Sequence, residues 1–190
     1  LKALQRGAHN AILVSVACAA AGIIVGMVTL TGMGLKFSSL VIDLSFGIKA
    51  LAILLIGAAS LVLGMGVPVT AAYLITAVVA VPALTHLGVN PIASHIIVYW
   101  LSQDSNITPP VCIAAFAGAT IAKANMWKTA FTAFKFAKFL YLGPFLFGYV
   151  PAFTLDGTPW DIAKAFVLIA IGTYGYSYIM SGHWFRYLRF

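Results

Sequence analysis

The chain has 190 residues, 62% of them hydrophobic and only 8% charged, with eleven Lys/Arg, four Asp and no Glu. A soluble domain carries about 25% charged and about 45–50% apolar residues, so this composition excludes a soluble globular fold and predicts an all-α integral membrane protein with several spans. The net charge of +7 would suggest a nucleic-acid partner in a soluble domain, but Lys36, Lys49, Lys123, Lys128, Arg186 and Arg189 lie at the ends of apolar runs, where positive-inside topology and headgroup anchoring in the lipid bilayer place them, and no nucleic acid is expected.

In chain order, Lys2 and Arg6 lead straight into an uncharged run from Asn10 to Leu35, long enough for one crossing. No cleavable signal peptide is evident and the chain does not begin with Met, so it is expected to be a piece of a longer protein. Leu30–Gly34 is glycine-rich, but no Lys-Ser/Thr follows as a phosphate loop requires, and it reads as a helix end. Residues 36–48 mix Lys36, Asp43 and serines with apolar residues, the pattern of an amphipathic segment along the membrane surface.

Ala50–Thr85 is uncharged for 36 residues. As one straight helix it would be roughly 54 Å long against a hydrocarbon core of about 30 Å, so it must break or fold back. The predicted place is Leu63-Gly64-Met65-Gly66-Val67-Pro68-Val69-Thr70, because Gly is a weak helix former and Pro disrupts a helix interior. Leu87–Ala122 holds one formal charge, Asp104, and is interrupted by Ser102-Gln103-Asp104-Ser105-Asn106-Ile107-Thr108-Pro109-Pro110, with flanks too short to span alone. Two consecutive elements, a re-entrant or broken hairpin and a discontinuous transmembrane helix, are thus expected to break near mid-depth.

Lys123–Lys138 follows with four lysines and no acid, then a predicted span over Phe139–Phe153, a loop with Asp156, Trp160 and Asp161, and a last span over Ile162–Met180 that ends in His183, Arg186 and Arg189. The basic, acidic, basic alternation places the lysine cluster and the C-terminus in the cytoplasm. Trp100, Trp127, Trp160 and Trp184 fall near span ends as an aromatic belt would, although core packing explains Trp100 equally well. Cys18 and Cys112 read as small buried hydrophobes, and His86 and His95 as core or interface histidines. The expected organisation is a span and interfacial segment over residues 1–48, one half of a transport domain over 49–122, and C-terminal spans with a cytoplasmic tail over 123–190.

The breaks carry the candidate chemistry. Proline has no N–H, so Pro109 and Pro110 would leave the carbonyls of Ser105 and Asn106 unpaired, and Pro68 that of Gly64. In hydrocarbon such groups persist only where protein, water or an ion supplies a partner. Around them lie Thr70, Asp104, Ser105, Asn106 and Thr108, an all-oxygen set suited to a hard cation such as Na⁺, with Ser105, Asn106 and Thr108 as the leading ligands and no thiol or imidazole cluster for a transition metal. Asp104 should face water, an ion or a partner, or else cap the rim of the break. A helix starting at Pro68 or Pro110 would aim its free N–H groups into the same cavity, ready for a carboxylate. Paired Gly/Pro-interrupted segments of this kind point to the substrate site of a secondary transporter.

Three stretches together resemble the permease of tripartite ATP-independent periplasmic (TRAP) transporters: Ala17–Gly26 with Leu30-Thr31-Gly32, then Leu63–Tyr73, then Ile107-Thr108-Pro109-Pro110-Val111. The similarity is to the fused type, in which small and large membrane subunits form one chain, and to the C-terminal half of its large-subunit region. The resemblance implies a multi-pass protein of a bacterial or archaeal cytoplasmic membrane. It also implies Na⁺-driven symport of small organic acids delivered by a periplasmic substrate-binding protein, with an elevator motion of two inverted repeats. On it, Gly64, Met65, Gly66, Pro68 and Thr70 of the hairpin tip, and Ser105, Asn106, Thr108 and Pro109 of the broken helix, help form the ion and substrate sites. The partners it implies are the binding protein, the N-terminal repeat and the small-subunit region. No cofactor beyond the coupling ion is expected.

A channel would need a continuous polar lining, which the apolar flanks of both breaks oppose. An intramembrane enzyme would need a paired carboxylate, a nucleophile–base pair or a metal cluster, none of which the spacing offers. A structural membrane subunit is the remaining alternative, opposed by the two coordinated breaks.

Overall fold

The computed structural model describes residues 2–180, which form helices joined by short turns with no strand among them. Helix α1 (Lys2–Leu30) ends where Gly32 adopts a left-handed conformation, φ 68°, that glycine tolerates without a Cβ penalty. The next helix, α2 (Met33–Leu44), leaves this turn at 74° to the second half of α1. The expected amphipathic segment is therefore a helix, starting three residues before Lys36. Its buried stripe is Gly34, Ser38 and Val41, spaced i, i+4, i+7 and packed on α4 (Val69–His86).

A proline inside α4 explains that contact. Pro82 has no N–H for the Val78 carbonyl, so this turn of α4 is short of a hydrogen bond. A Cβ on Gly34 would lie 3.1 Å from that same carbonyl oxygen, and the Ser38 hydroxyl donates to the next one, Val79, at 3.0 Å. Gly34→Leu is therefore expected to push α2 off α4 and to cost about 1–3 kcal/mol, the usual range for overpacking. Thermal unfolding in detergent would show it, and an unchanged midpoint would contradict the close contact.

Helices α3 (Lys49–Leu63), α4 and α5 (Pro91–Asp104) form the centre of the structure, with the predicted break at Gly64–Pro68 between the first two. Their shared core contains Ile53, Ile56, Leu84, Ile97 and Val98, with Ala52, Ala80, Ala83 and Ala93 between them. Small residues let helix backbones approach closely, which matters most where apolar burial gives no advantage over lipid. Asn90 starts α5 by accepting the Ile92 N–H at 2.9 Å, with Pro91 at the first helical position.

Beyond α5 the structure corrects one expectation. The span predicted over Phe139–Phe153 is not a continuous helix. The lysine-rich stretch forms α7 (Met126–Ala137), followed by a 3₁₀ turn (Lys138–Leu142), the short α8 (Gly143–Tyr149) and a second 3₁₀ turn (Pro151–Thr154). Pro144 and Pro151 lack the N–H groups that would bond the Leu140 and Phe147 carbonyls and carry one helix through. The 45° bend between α7 and Leu140–Tyr149 leaves a pair that is, taken together, long and apolar enough for one span. Between α5 and α7, α6 (Ile113–Ile121) packs on α7 around Cys112, Ala115 and Ala130.

The last described helix, α9 (Pro159–Met180), contains the predicted last span and is capped by Thr158, whose hydroxyl accepts the Asp161 N–H at 3.2 Å and donates to the Asp161 carboxylate at 2.6 Å. Among the described residues, Val69–His86 and Pro159–Ile179 are each long and apolar enough to cross a membrane, and the two bent pairs raise the number of crossings to as many as four. Trp100 is half-buried and packs against Phe147, whereas Trp127 and Trp160 are exposed. His183, Trp184, Arg186 and Arg189 lie outside the described residues.

Candidate functional site

The first break closes around Gly64. Helix α3 ends there with the Gly64 N–H on the Ser60 carbonyl at 2.8 Å, Gly66 turns the chain at φ 73°, and extended Pro68 precedes α4. Pro68 is thus the cap of α4, one residue before its first helical position, which is Val69. The Gly64 carbonyl, expected to be orphaned by Pro68, has found a partner 41 residues away: the Ser105 hydroxyl donates to it at 3.2 Å. The same hydroxyl lies 3.1 Å from the Ser102 carbonyl, so one hydrogen is shared between the two breaks.

The second break follows Asp104. Its carbonyl accepts the N–H groups of Ile107 at 3.2 Å and Thr108 at 2.9 Å, and the Thr108 hydroxyl as well. Two expectations fail here. The Asn106 carbonyl is not free but accepts the Ala114 N–H at 3.2 Å, and α6 starts at Ile113 rather than Pro110. The chain turns at Cys112, whose left-handed φ is 41°, and Ala114 at the start of α6 reaches back to Asn106 in the turn after α5.

Between the breaks lies a buried polar cluster. Ser60, Ser102 and Ser105 are buried, and so is Asp104, which is 2% exposed. Ser60 and Ser102 turn their hydroxyls onto carbonyls of their own helices, Ile56 and Tyr99. Asp104 does not share in this arrangement: its Oδ2 is buried and has no hydrogen-bond partner among the described residues. Thr108 bonds the Asp104 carbonyl and pairs with the hydroxyl of Tyr141.

The predicted site residues divide accordingly. Gly64, Asp104, Ser105 and Thr108 come together. Asn106 and Pro109 are half-buried alongside them, Asn106 bonding through its backbone. Pro68 is half-buried at the cap of α4, while Met65, Gly66 and Thr70 stand exposed on the hairpin side. Sequence reasoning passed over Ser60 and Tyr141. Ser60 stands one helical turn before Gly64, a spacing that could have flagged it, but nothing local distinguishes Tyr141 from the other aromatic residues of its stretch. Among the described residues no group of three or more His, Cys, Asp or Glu could hold a metal ion.

Comparison with curated proteins and with solved structures gives no match. The sequence does match a family described as the DctM component of the tripartite ATP-independent periplasmic transporter, over residues 1–153. The matched region takes in both breaks, the buried cluster between them and the Tyr141 turn, and stops short of α9. That family is one of transporter components and not of enzymes. Matched over most of its length and built from apolar, broken helices, this chain belongs to the family of DctM components, the permeases of tripartite ATP-independent periplasmic transporters.

Proposed function

We propose that residues 49–122 form one half of the transport site of a Na⁺-coupled permease for small organic acids, fed by a periplasmic substrate-binding protein in the cytoplasmic membrane. The observation that carries this reading is Asp104: a carboxylate 2% exposed, with one oxygen lacking any hydrogen bond among the described residues. Removing an ionised carboxylate from water costs several kcal/mol even after relaxation, so Asp104 in its charged form calls for a compensating cation. The neighbouring donors, hydroxyls of Ser105 and Thr108 and the amide of Asn106, are hard oxygens that suit Na⁺.

The organic acid has a complementary feature in the start of α4. The first N–H groups of a helix have no partner within it, and its positive dipole end favours an anion. Exposed Thr70 lies in that first turn. Because Ser105 bonds Gly64 across the two breaks, hairpin tip and broken helix would move as one body in an elevator stroke. Membership of the family implies association with the other components of the tripartite system, among them the binding protein. The N-terminal repeat and small-subunit region would supply the rest of the site.

The test is uptake into proteoliposomes holding the full-length permease, with its binding protein outside and a panel of labelled small carboxylates as probes. Uptake is expected with an inward Na⁺ gradient and to be lost when K⁺ replaces Na⁺ or when the binding protein is omitted. Equal uptake in Na⁺-free buffer would overturn the coupling, and a single-channel current in a planar bilayer would replace the transporter reading with a pore.

A further inference from the structure

Thr108 is held from two sides. A threonine hydroxyl has one hydrogen and two lone pairs. That hydrogen is committed to the Asp104 carbonyl at the end of α5. In its pairing with the hydroxyl of Tyr141, Thr108 must therefore accept and Tyr141 must donate. One lone pair of the Thr108 oxygen is left over, its direction set by the two bonds.

Tyr141 is itself tied to the same helix. It sits on the 3₁₀ turn Lys138–Leu142, and its ring meets Phe134 edge-on at 5.8 Å. The neighbouring Leu140 carbonyl, which Pro144 cannot bond, accepts the indole N–H of Trp100 on α5 at 2.8 Å. Gly143 lies so close to Trp100 that a Cβ there would come within 2.9 Å of the indole ring. Residues 140–143 thus grip α5 one turn before Asp104 and place the Tyr141 hydroxyl on Thr108 at the break.

We infer that Tyr141 is a positioning residue for the cation site, acting through Thr108; this rests on the Na⁺-coupled reading above. Loss of the phenol hydroxyl leaves the Thr108 oxygen held by one bond, to the Asp104 carbonyl, instead of two. Its remaining lone pairs are then less fixed in direction and serve less well for a ligand, while the aromatic packing stays. Partners that orient a metal ligand typically change affinity by about 10–100-fold when removed, and a weakly bound Na⁺ should show the lower end.

The experiment is Na⁺-dependent uptake by the full-length permease with its binding protein, comparing Tyr141→Phe, Thr108→Ala and the double variant. Tyr141→Phe is expected to raise the Na⁺ concentration for half-maximal uptake about ten-fold while keeping the rate at saturating Na⁺. The double variant is expected to be no worse than Thr108→Ala alone, since the two changes act on one contact. A merely structural tyrosine would instead lower the rate equally at all Na⁺ concentrations and add its effect to that of Thr108→Ala, which would overturn the inference. Should Tyr141→Phe fold poorly, Trp100→Phe, which loosens the same turn, is expected to shift the Na⁺ requirement in the same direction, and an unshifted requirement there also overturns it. Thr108→Ala separates the two levels. If Thr108→Ala leaves the Na⁺ requirement unshifted, Thr108 is no ligand and the inference fails while the coupled reading stands. If it shifts that requirement and Tyr141→Phe does not, only the role of Tyr141 fails. The coupled reading itself fails if the native permease takes up substrate equally without Na⁺.

Discussion

Gly64→Ala is expected to abolish most uptake and to lower the midpoint of thermal unfolding, because the meeting point of the two breaks has no room for a methyl group. A Cβ at this position would lie 2.8 Å from the Ser105 Oγ, 2.9 Å from the Ser60 carbonyl and 3.3 Å from the Ser102 carbonyl. Only the serine hydroxyl can turn aside. The Ser60 carbonyl is the one that accepts the Gly64 N–H within α3, and the Ser102 carbonyl belongs to α5. Relief therefore requires the end of α3 to distort and to move off α5, at about 1–3 kcal/mol for overpacking of this kind. That separation also breaks the bond from Ser105 to the Gly64 carbonyl, which keeps only the long bond from the Val67 N–H at 3.5 Å, and the lost hydrogen bond costs about 0.5–1.5 kcal/mol more. Adding Ser105→Ala to Gly64→Ala removes one of the three close contacts, so it is expected to recover only part of the lost stability and none of the uptake. A Gly64→Ala protein with an unchanged midpoint and unchanged uptake would show that the breaks need not touch.

Asp104→Asn should separate function from stability. The amide keeps the shape of the side chain and removes the charge. Uptake is expected to fall about ten- to a hundred-fold, the equivalent of one charged contact of about 1.5–3 kcal/mol. Stability in Na⁺-free detergent is expected to stay level or to rise, since a buried carboxylate oxygen without a partner burdens the folded state and the amide lightens that burden. Na⁺ should raise the unfolding midpoint of the native protein, because a ligand that binds only the folded state stabilises it by about 2.7 kcal/mol at a hundred times its dissociation constant. The variant should lose that rise. A variant that is destabilised yet keeps its Na⁺-dependent rise would make Asp104 the structural cap of the break, the other role open to it from its place in the sequence.

The two substitutions probe features of different legibility. The break at Gly64–Pro68 could be read from chain length and residue type, because an uncharged run too long for the bilayer has to stop where glycine and proline lie. The polar run from Ser102 to Thr108 was equally legible, since polar residues between apolar flanks need a reason to be there. The details of each break were less so. Counting missing N–H groups marked the Gly64 and Asn106 carbonyls as orphans, yet Ser105 and Ala114 satisfy them. Local counting sees the loss of an i−4 donor but not a donor that folding brings from elsewhere. The span expected at Phe139–Phe153 failed for a related reason. Its hydrophobicity suffices for a crossing, but Pro144 and Pro151 divide it, and one freed carbonyl is taken by Trp100 of another helix.

By itself, the sequence determined that this is a helical membrane protein, that two successive elements are interrupted, and that its scarce polar residues collect at the second interruption. These follow from composition and from the hydrogen-bonding limits of glycine, proline and a lipid solvent, which act within one stretch of chain. Only the tertiary structure decided that the interruptions touch, that Ser105 closes onto Gly64, that Asp104 is buried with an oxygen left over, and that Tyr141 reaches Thr108. Each of these depends on packing between residues that lie tens of positions apart in the chain or on burial by several helices at once. Small side chains set how closely those helices approach, and no periodicity within a single segment records which of them will meet.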